Sequence, residues 1–194
     1  RVWNIQSGEC VKALEGFNAT EGIAIDRDGK RVATAPYGKK VQVWDLESGD
    51  LEFELEGHVD IMQCISMSGD GQIAATGDLS GNVRIWDLEA RECVFSIELG
   101  SRAVIATVSL NEAGTALVVA CKEPAGPSKN LLNRWRFDAD TGAWRPDQAA
   151  FAARFAELGV TLRCATTDSS GRKALAGVTD NVVRYWADLD AQSE

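Results

Sequence analysis

Three times in this sequence a turn glycine is followed fifteen residues later by tryptophan: Gly29 to Trp44, Gly71 to Trp86 and Gly171 to Trp186. Each interval holds two short runs of β-formers, and each is preceded by a further apolar run. Turn-bounded runs of that length read as antiparallel hairpins. One small sheet cannot bury both of its faces, so a fixed recurrence of such sheets implies an array in which neighbours cover one another.

The best-formed unit is Glu56 to Asp87. It opens with Gly57-His58 and closes with Trp86-Asp87. Its three runs are Ile61 to Met67, Gln72 to Thr76 and Asn82 to Trp86, and a fourth, Glu92 to Ile97, follows the next turn. Four strands, here lettered a to d in chain order, make one sheet. The strand-a segment Cys64 to Gly71 matches Gly22 to Gly29, Thr107 to Gly114 and Cys164 to Gly171. Trp3, Trp44 and Trp86 lie 41 and 42 residues apart. A repeat of this length with Gly-His and Trp-Asp marks resembles the WD40 family over nearly the whole chain. The resemblance implies an all-β, WD40-type β-propeller of four-stranded antiparallel blades. It also implies a non-catalytic scaffold for protein–protein or protein–peptide interaction within a larger complex.

The repeat places units at about 1–14 (partial), 15–55, 56–98, 99–145 and 146–186, with a polar tail over 187–194. About four blades follow, fewer than the seven typical of the family, so the chain reads as part of a larger ring. Closure as an eight-bladed dimer is the alternative, and an open array would favour self-association. The third full unit breaks the spacing. Aligning Phe137-Asp138 with Trp44-Asp45 leaves about eight extra residues around Lys122 to Asn130, where two prolines and a glycine read as a loop. Trp135 is the other candidate for the tryptophan position. Pro146 to Gly159, with Phe151, Phe155 and Leu158 at helical spacing, reads as a short amphipathic helix or as a distorted strand d and turn.

Composition narrows the function classes. A net charge of −9 disfavours bulk attraction to nucleic acid or anionic membrane, and no 18-residue apolar run is present to span a bilayer. Five cysteines form no C-x-x-C pair. Cys64 and Cys164 share one repeat position, and Cys10 and Cys93 another, which reads as core thiols and an intracellular location, cytoplasmic or nuclear.

The marks themselves are structural. The resemblance implies that a histidine, a strand-b hydroxyl, a turn aspartate and the strand-c tryptophan form a buried hydrogen-bonded set. The second unit supplies His58, Thr76 and Trp86 but has Ser80 at the aspartate position. The last has Asp180 and Trp186 but Leu158 for the histidine, so no unit carries the full set. Gly57, Trp44, Asp45 and Asp87 complete the repeat marks. His58 is the only histidine, and no nucleophile is fixed beside it by spacing. Arg1, Arg84 and Arg184 stand two residues before the tryptophans, with Gln42 at the same place, and read as stems packed between blades. No phosphate-binding, metal or hydrolase motif occurs, so no cofactor is expected.

Because strand direction alternates, b–c and d–a connections leave the sheet at one end. Both departures from the repeat fall there, and Lys122, Glu123, Lys129, Asn130 and Arg145 are the candidate partner-binding residues. Narrower readings are a substrate-recognition adaptor of a ubiquitin ligase, a regulatory segment of a larger enzyme or signalling ATPase, and a component of an RNA-processing complex. The W-D-x-R signature of one adaptor class is absent, since Trp44 and Trp86 are followed by Asp-Leu-Glu.

Overall fold

The computed structural model describes residues 1–15, 19–100, 104–122, 131–147, 162–170, 174–178 and 183–186. Among them every regular element is a strand. β1 (Val2–Trp3) and β2 (Cys10–Lys12) form a two-stranded sheet. Blade 1 is β3 (Thr20–Ile25), β4 (Arg31–Pro36), β5 (Lys40–Asp45) and β6 (Leu51–Glu56). Blade 2 is β7 (Met62–Met67), β8 (Ile73–Asp78), β9 (Asn82–Asp87) and β10 (Glu92–Glu98). Blade 3 is β11 (Val104–Leu110), β12 (Ala116–Lys122), β13 (Leu131–Asp138) and β14 (Ala143–Asp147). Blade 4 contributes β15 (Leu162–Thr167), β16 (Ala174–Val178) and β17 (Val183–Trp186). Each sheet is antiparallel with its strands in chain order, so hairpins alone connect them.

One register runs through all four blades. Strand b faces strand c at Val32↔Trp44, Ala74↔Trp86, Leu117↔Trp135 and Ala174↔Trp186. Strand a slips by one residue at the same place each time, between Thr20/Gly22, Met62/Cys64, Ile105/Thr107 and Leu162/Cys164. A bulge there sharpens the twist of each sheet.

This register corrects the alignment of the third blade. Trp135, not Phe137, holds the tryptophan position. The Phe137 amide bonds the Thr115 carbonyl, as the Leu46 and Leu88 amides bond Lys30 and Gln72. Asp138 nevertheless does what Asp45 and Asp87 do, accepting from the backbone amides of the c–d turn. Strand c of blade 3 is therefore longer by two residues at its turn end. A sequence alignment can match the turn or the tryptophan, but not both.

Pro146 and Asp147 belong to strand d, paired with Trp135 and Arg134, and do not open a helix. Strand d is the outer edge of its sheet, where a missing N–H costs no ladder bond. The remainder of the expected helix lies outside the described residues.

The core is the stack of blades. Ile65 and Met67 of strand a in blade 2 cluster with Ala33, Ala35, Val41 and Val43 of strands b and c in blade 1. Val108 and Leu110 of blade 3 cluster in the same way with Ala75, Val83 and Ile85 of blade 2. Small residues on strand b leave room for branched ones on the next strand a.

Two of the five cysteines depart from the core reading. Cys64 and Cys121 are buried, Cys93 is partly covered, and Cys10 and Cys164 are exposed. Cys64 lies under Gly77 and Ile105, whereas Cys164, at the same register position of blade 4, is exposed. All five are free thiols. Burial pushes the Cys64 thiol up to about 12, the opposite of activation. Iodoacetamide at pH 8 is expected to modify Cys10 and Cys164 within minutes, and Cys64 only after unfolding. Mass mapping of the labelled peptides checks this; early labelling of Cys64 would contradict the buried position.

A buried histidine network and the rim above it

Strand b of blade 2 carries Thr76 and Asp78 on one face, and strand c brings Trp86 opposite. The Trp86 indole N–H donates to Thr76 Oγ1 at 2.8 Å. Thr76 Oγ1 lies 2.6 Å from His58 Nε2, and His58 Nδ1 lies 2.9 Å from Asp78 Oδ2. All four residues are at most 5% exposed. One assignment satisfies every group: His58 Nδ1–H donates to the carboxylate, and Nε2 accepts the threonine proton. Burial would raise the Asp78 pKa. Hydrogen bonds from His58 and Asn82 outweigh burial and hold the carboxyl below its ordinary value. Gly57 precedes the histidine because a Cβ there would lie 3.2 Å from the Trp86 ring, at a φ of 153°.

This corrects the expectation that no unit is complete. The acceptor comes from Asp78, two residues before the position where the repeat pattern places an aspartate. Ser80, at that position, turns instead to Asp60 at 2.6 Å. The spacing rule missed Asp78 because it located the acceptor in the turn, while the last residue of the strand reaches the same imidazole. Blade 1 keeps the Trp44–Thr34 bond at 3.2 Å but has Pro36 where Asp78 stands. Blade 3 has Val119 and Cys121 at the threonine and aspartate places, an apolar solution to the same packing. Asp180, Leu158 and the Trp186 side chain lie outside the described residues.

The network is closed to solvent, and no polar atom of it is left for substrate. Among the described residues, no group of three His, Cys, Asp or Glu is placed to hold a metal ion. Arg84 is half-buried beside it, its Nη1 3.5 Å from Cys93 Sγ, while Gln42 bonds Glu54. Arg1 is exposed.

Backbone bonds show which connections share an end. Tyr37 N bonds Ala19 O, Met62 N bonds Gly38 O and Leu79 N bonds Ile61 O. In blades 1 and 2 the b–c and d–a connections thus form one rim, on which Tyr37 and Val59 are 58% and 64% exposed. At the opposite end Arg27 N bonds Gly69 O, Gly69 N bonds Glu112 O, and Arg27 pairs with Glu112 across blade 2. Asp70, Ser169 and Ser170 join that pair around an open recess of about 470 Å³.

Of the candidate partner residues, Lys122 ends strand b of blade 3, and Glu123, Lys129 and Asn130 lie outside the described residues. Arg145 is within strand d, and its head reaches Asp138 at 3.3 Å and Thr141 at 3.5 Å. Both belong to the c–d turn, so Arg145 points away from the rim on which it was expected. Tyr37 and Val59 are the rim residues that motif reading passed over; apolar residues in turn segments were the available signal.

Comparison with known proteins agrees with this geometry. Residues 49–87 match the family model "WD domain, G-beta repeat". Residues 49–87 are thus a WD40 repeat, and the other blades share its strand register. Its fold is similar to the Cps50 (Swd1) β-propeller domain of Myceliophteria thermophila, with a TM-score of 0.70 and 17% identity over 89% of this chain and 52% of that one. Among curated proteins it is 29% identical over 62 residues to the pre-mRNA-splicing factor cwf17 of Schizosaccharomyces pombe, which is 32% of this chain and 18% of that protein. It is 30% identical over 69 residues to autophagy-related protein 16 of Arabidopsis thaliana, 35% of this chain and 14% of that one. The chain thus spans a small part of its curated relatives and about half of the solved propeller.

Proposed function

We propose that this WD40 chain is a non-catalytic scaffold that presents its b–c/d–a rim to proteins or peptides inside a larger complex. The observation that carries the reading is the division of labour in blade 2. His58, Thr76 and Asp78 are locked in a closed network, while Tyr37 and Val59 stand exposed on the rim formed by blades 1 and 2. Aromatic and apolar residues on a rigid rim are the usual anchors of protein contacts. An intracellular location, cytoplasmic or nuclear, accompanies this reading.

Replacing Tyr37 and Val59 together by serine tests it in the full-length protein. Affinity for co-purifying partners is expected to fall about tenfold or more, with the thermal midpoint unchanged. An unchanged partner set would remove the rim assignment, and deletion of 123–130 would then test the remaining candidates. A second reading, membership of an RNA-processing complex through protein contacts, is favoured by the similarity to a splicing factor. At a net charge of −9, direct RNA cross-linking to this chain is not expected. The ubiquitin-ligase adaptor and the regulatory segment of an enzyme or ATPase remain more specific forms of the same scaffold.

A further inference from the structure

The contacts between blades 1 and 2, 2 and 3, and 3 and 4 share one register, and the last is filled differently. Val43 of β5 clusters with Ile65 and Met67 of β7, and Ile85 of β9 clusters with Val108 and Leu110 of β11. Between blades 3 and 4, Arg134 of β13 takes the place of Val43 and Ile85, and Thr167 of β15 that of Met67 and Leu110. Arg134 is 7% exposed and pairs with Asp147 of β14. Thr167 Oγ1 is buried without a hydrogen-bond partner.

Volume is not what sets this contact apart. Val118 stands where Ala33 and Ala75 stand, and Ala165 where Ile65 and Val108 stand, so the larger residue has moved from strand a to strand b. Nor is the bond between strands a. The Thr167 amide donates to Ser109 Oγ at 3.1 Å, as the Leu110 amide donates to Ser66 Oγ at 3.0 Å. The difference is polarity. A second departure lies at the a–b turns of the same contact. Arg27 N bonds Gly69 O, and Gly69 N bonds Glu112 O, which ties the turns of blades 1, 2 and 3 in series. Among the described residues no such bond joins Glu112 to Ser169, the next position of the series. The recess of about 470 Å³, lined by Glu112 and Ala113 of blade 3 and by Ser169 and Ser170 of blade 4, opens there.

Opening either of the first two contacts would bring apolar side chains into water. Opening the third returns a guanidinium, its carboxylate and an orphan hydroxyl to water, and so recovers desolvation cost that the closed contact carries. We propose that the contact between blades 3 and 4 is an opening joint, at which blade 4 parts from blade 3 while blades 1 to 3 stay closed. The His58 network and the rim residues Tyr37 and Val59 belong to blades 1 and 2, so opening leaves them in place and uncovers Val118 and Ala165 instead.

Native-state amide exchange of the full-length protein, in guanidinium below the unfolding transition, tests this. The β15 amides are expected to exchange through an opening populated about tenfold or more above the one that exposes β7 or β11. Fraying from the other side of blade 4 would not respond to residues of this contact, so two variants change the contact alone. Arg134→Val with Thr167→Leu gives it the residue types of Val43 and Leu110, and leaves Asp147 paired with Arg136 at 3.1 Å. Exchange of β15 is then expected to slow about tenfold or more, with β7 unchanged. Thr167→Val removes only the orphan hydroxyl and should slow it about threefold, which keeps the proposal testable if the double variant misfolds. Exchange of β15 as slow as that of β11, or unaltered in the folded variants, would overturn the proposal.

Discussion

Asp78→Ala is expected to lower the unfolding free energy by about 3–4 kcal/mol, because it leaves buried donors facing nothing. The Asp78 carboxylate accepts from His58 Nδ1, from the Ser80 and Asn82 amides and from the Asn82 side chain, and none of it is exposed. Water cannot replace the His58 contact, because both side chains are without solvent access. A domain that is stable by only about 5–15 kcal/mol would lose a large fraction of that margin. Asp78→Asn keeps the shape and one acceptor, so its cost should be about half.

The two variants also separate charge from shape through pH. Burial pushes the Asp78 pKa up, but the hydrogen bonds from His58 and Asn82 outweigh it, so the folded value lies below the unfolded one. A depressed carboxylate stabilises the fold fully above its unfolded pKa of about 3.9, and the contribution is lost as pH falls through the folded value. The gap in thermal midpoint between wild type and Asp78→Asn should therefore be constant near neutrality and narrow below about pH 4. Differential scanning calorimetry across pH 3–7 (an ordinary buffer range) reads this directly. A gap independent of pH would mean that the carboxylate is not the charged partner of His58 in the folded state.

Gly77→Ala is expected to cost about 3 kcal/mol, at the upper end for an overpacked core position. A Cβ there would lie 2.3 Å from Ile105 Cγ2, 2.8 Å from Ile105 Cβ and 3.0 Å from Cys64 Sγ. Ile105 is fully buried and branches beside its own backbone, so it cannot swing clear. Blade 1 shows what would accommodate the methyl. Ala35 occupies the Gly77 position there, and the facing strand a offers unbranched Met62 at the Ile105 position. Ile105→Met in the Gly77→Ala background should recover at least about 1 kcal/mol relative to additivity. Purely additive costs in urea unfolding would show that blades 2 and 3 do not meet along this line.

The same pair shows where local sequence stops being informative. The fifteen-residue spacing, the Gly-His and Trp-Asp marks and the four-strand count are local properties, and they sufficed for an all-β array of WD40 blades. Short-range turn chemistry and alternation determine them wherever the strand lies. Partners across the fold are a different matter. That Asp78, two residues before the expected turn position, completes the His58 set depends on where an imidazole twenty residues away comes to rest. That Trp135 rather than Phe137 faces strand b depends on a pairing that two extra residues in the hairpin hide from alignment. The orientation of Arg145 followed from its ion pair with Asp138, which competes with any assignment by loop position. Cys64 and Cys164 share a repeat position, yet only the packing of blade 3 on blade 2 decided that one of them is buried. The sequence by itself determined the unit and its repetition, because these rest on periodicity and turn residues. Tertiary structure decided which polar groups meet and which faces are covered, because those depend on neighbouring blades rather than on neighbouring residues.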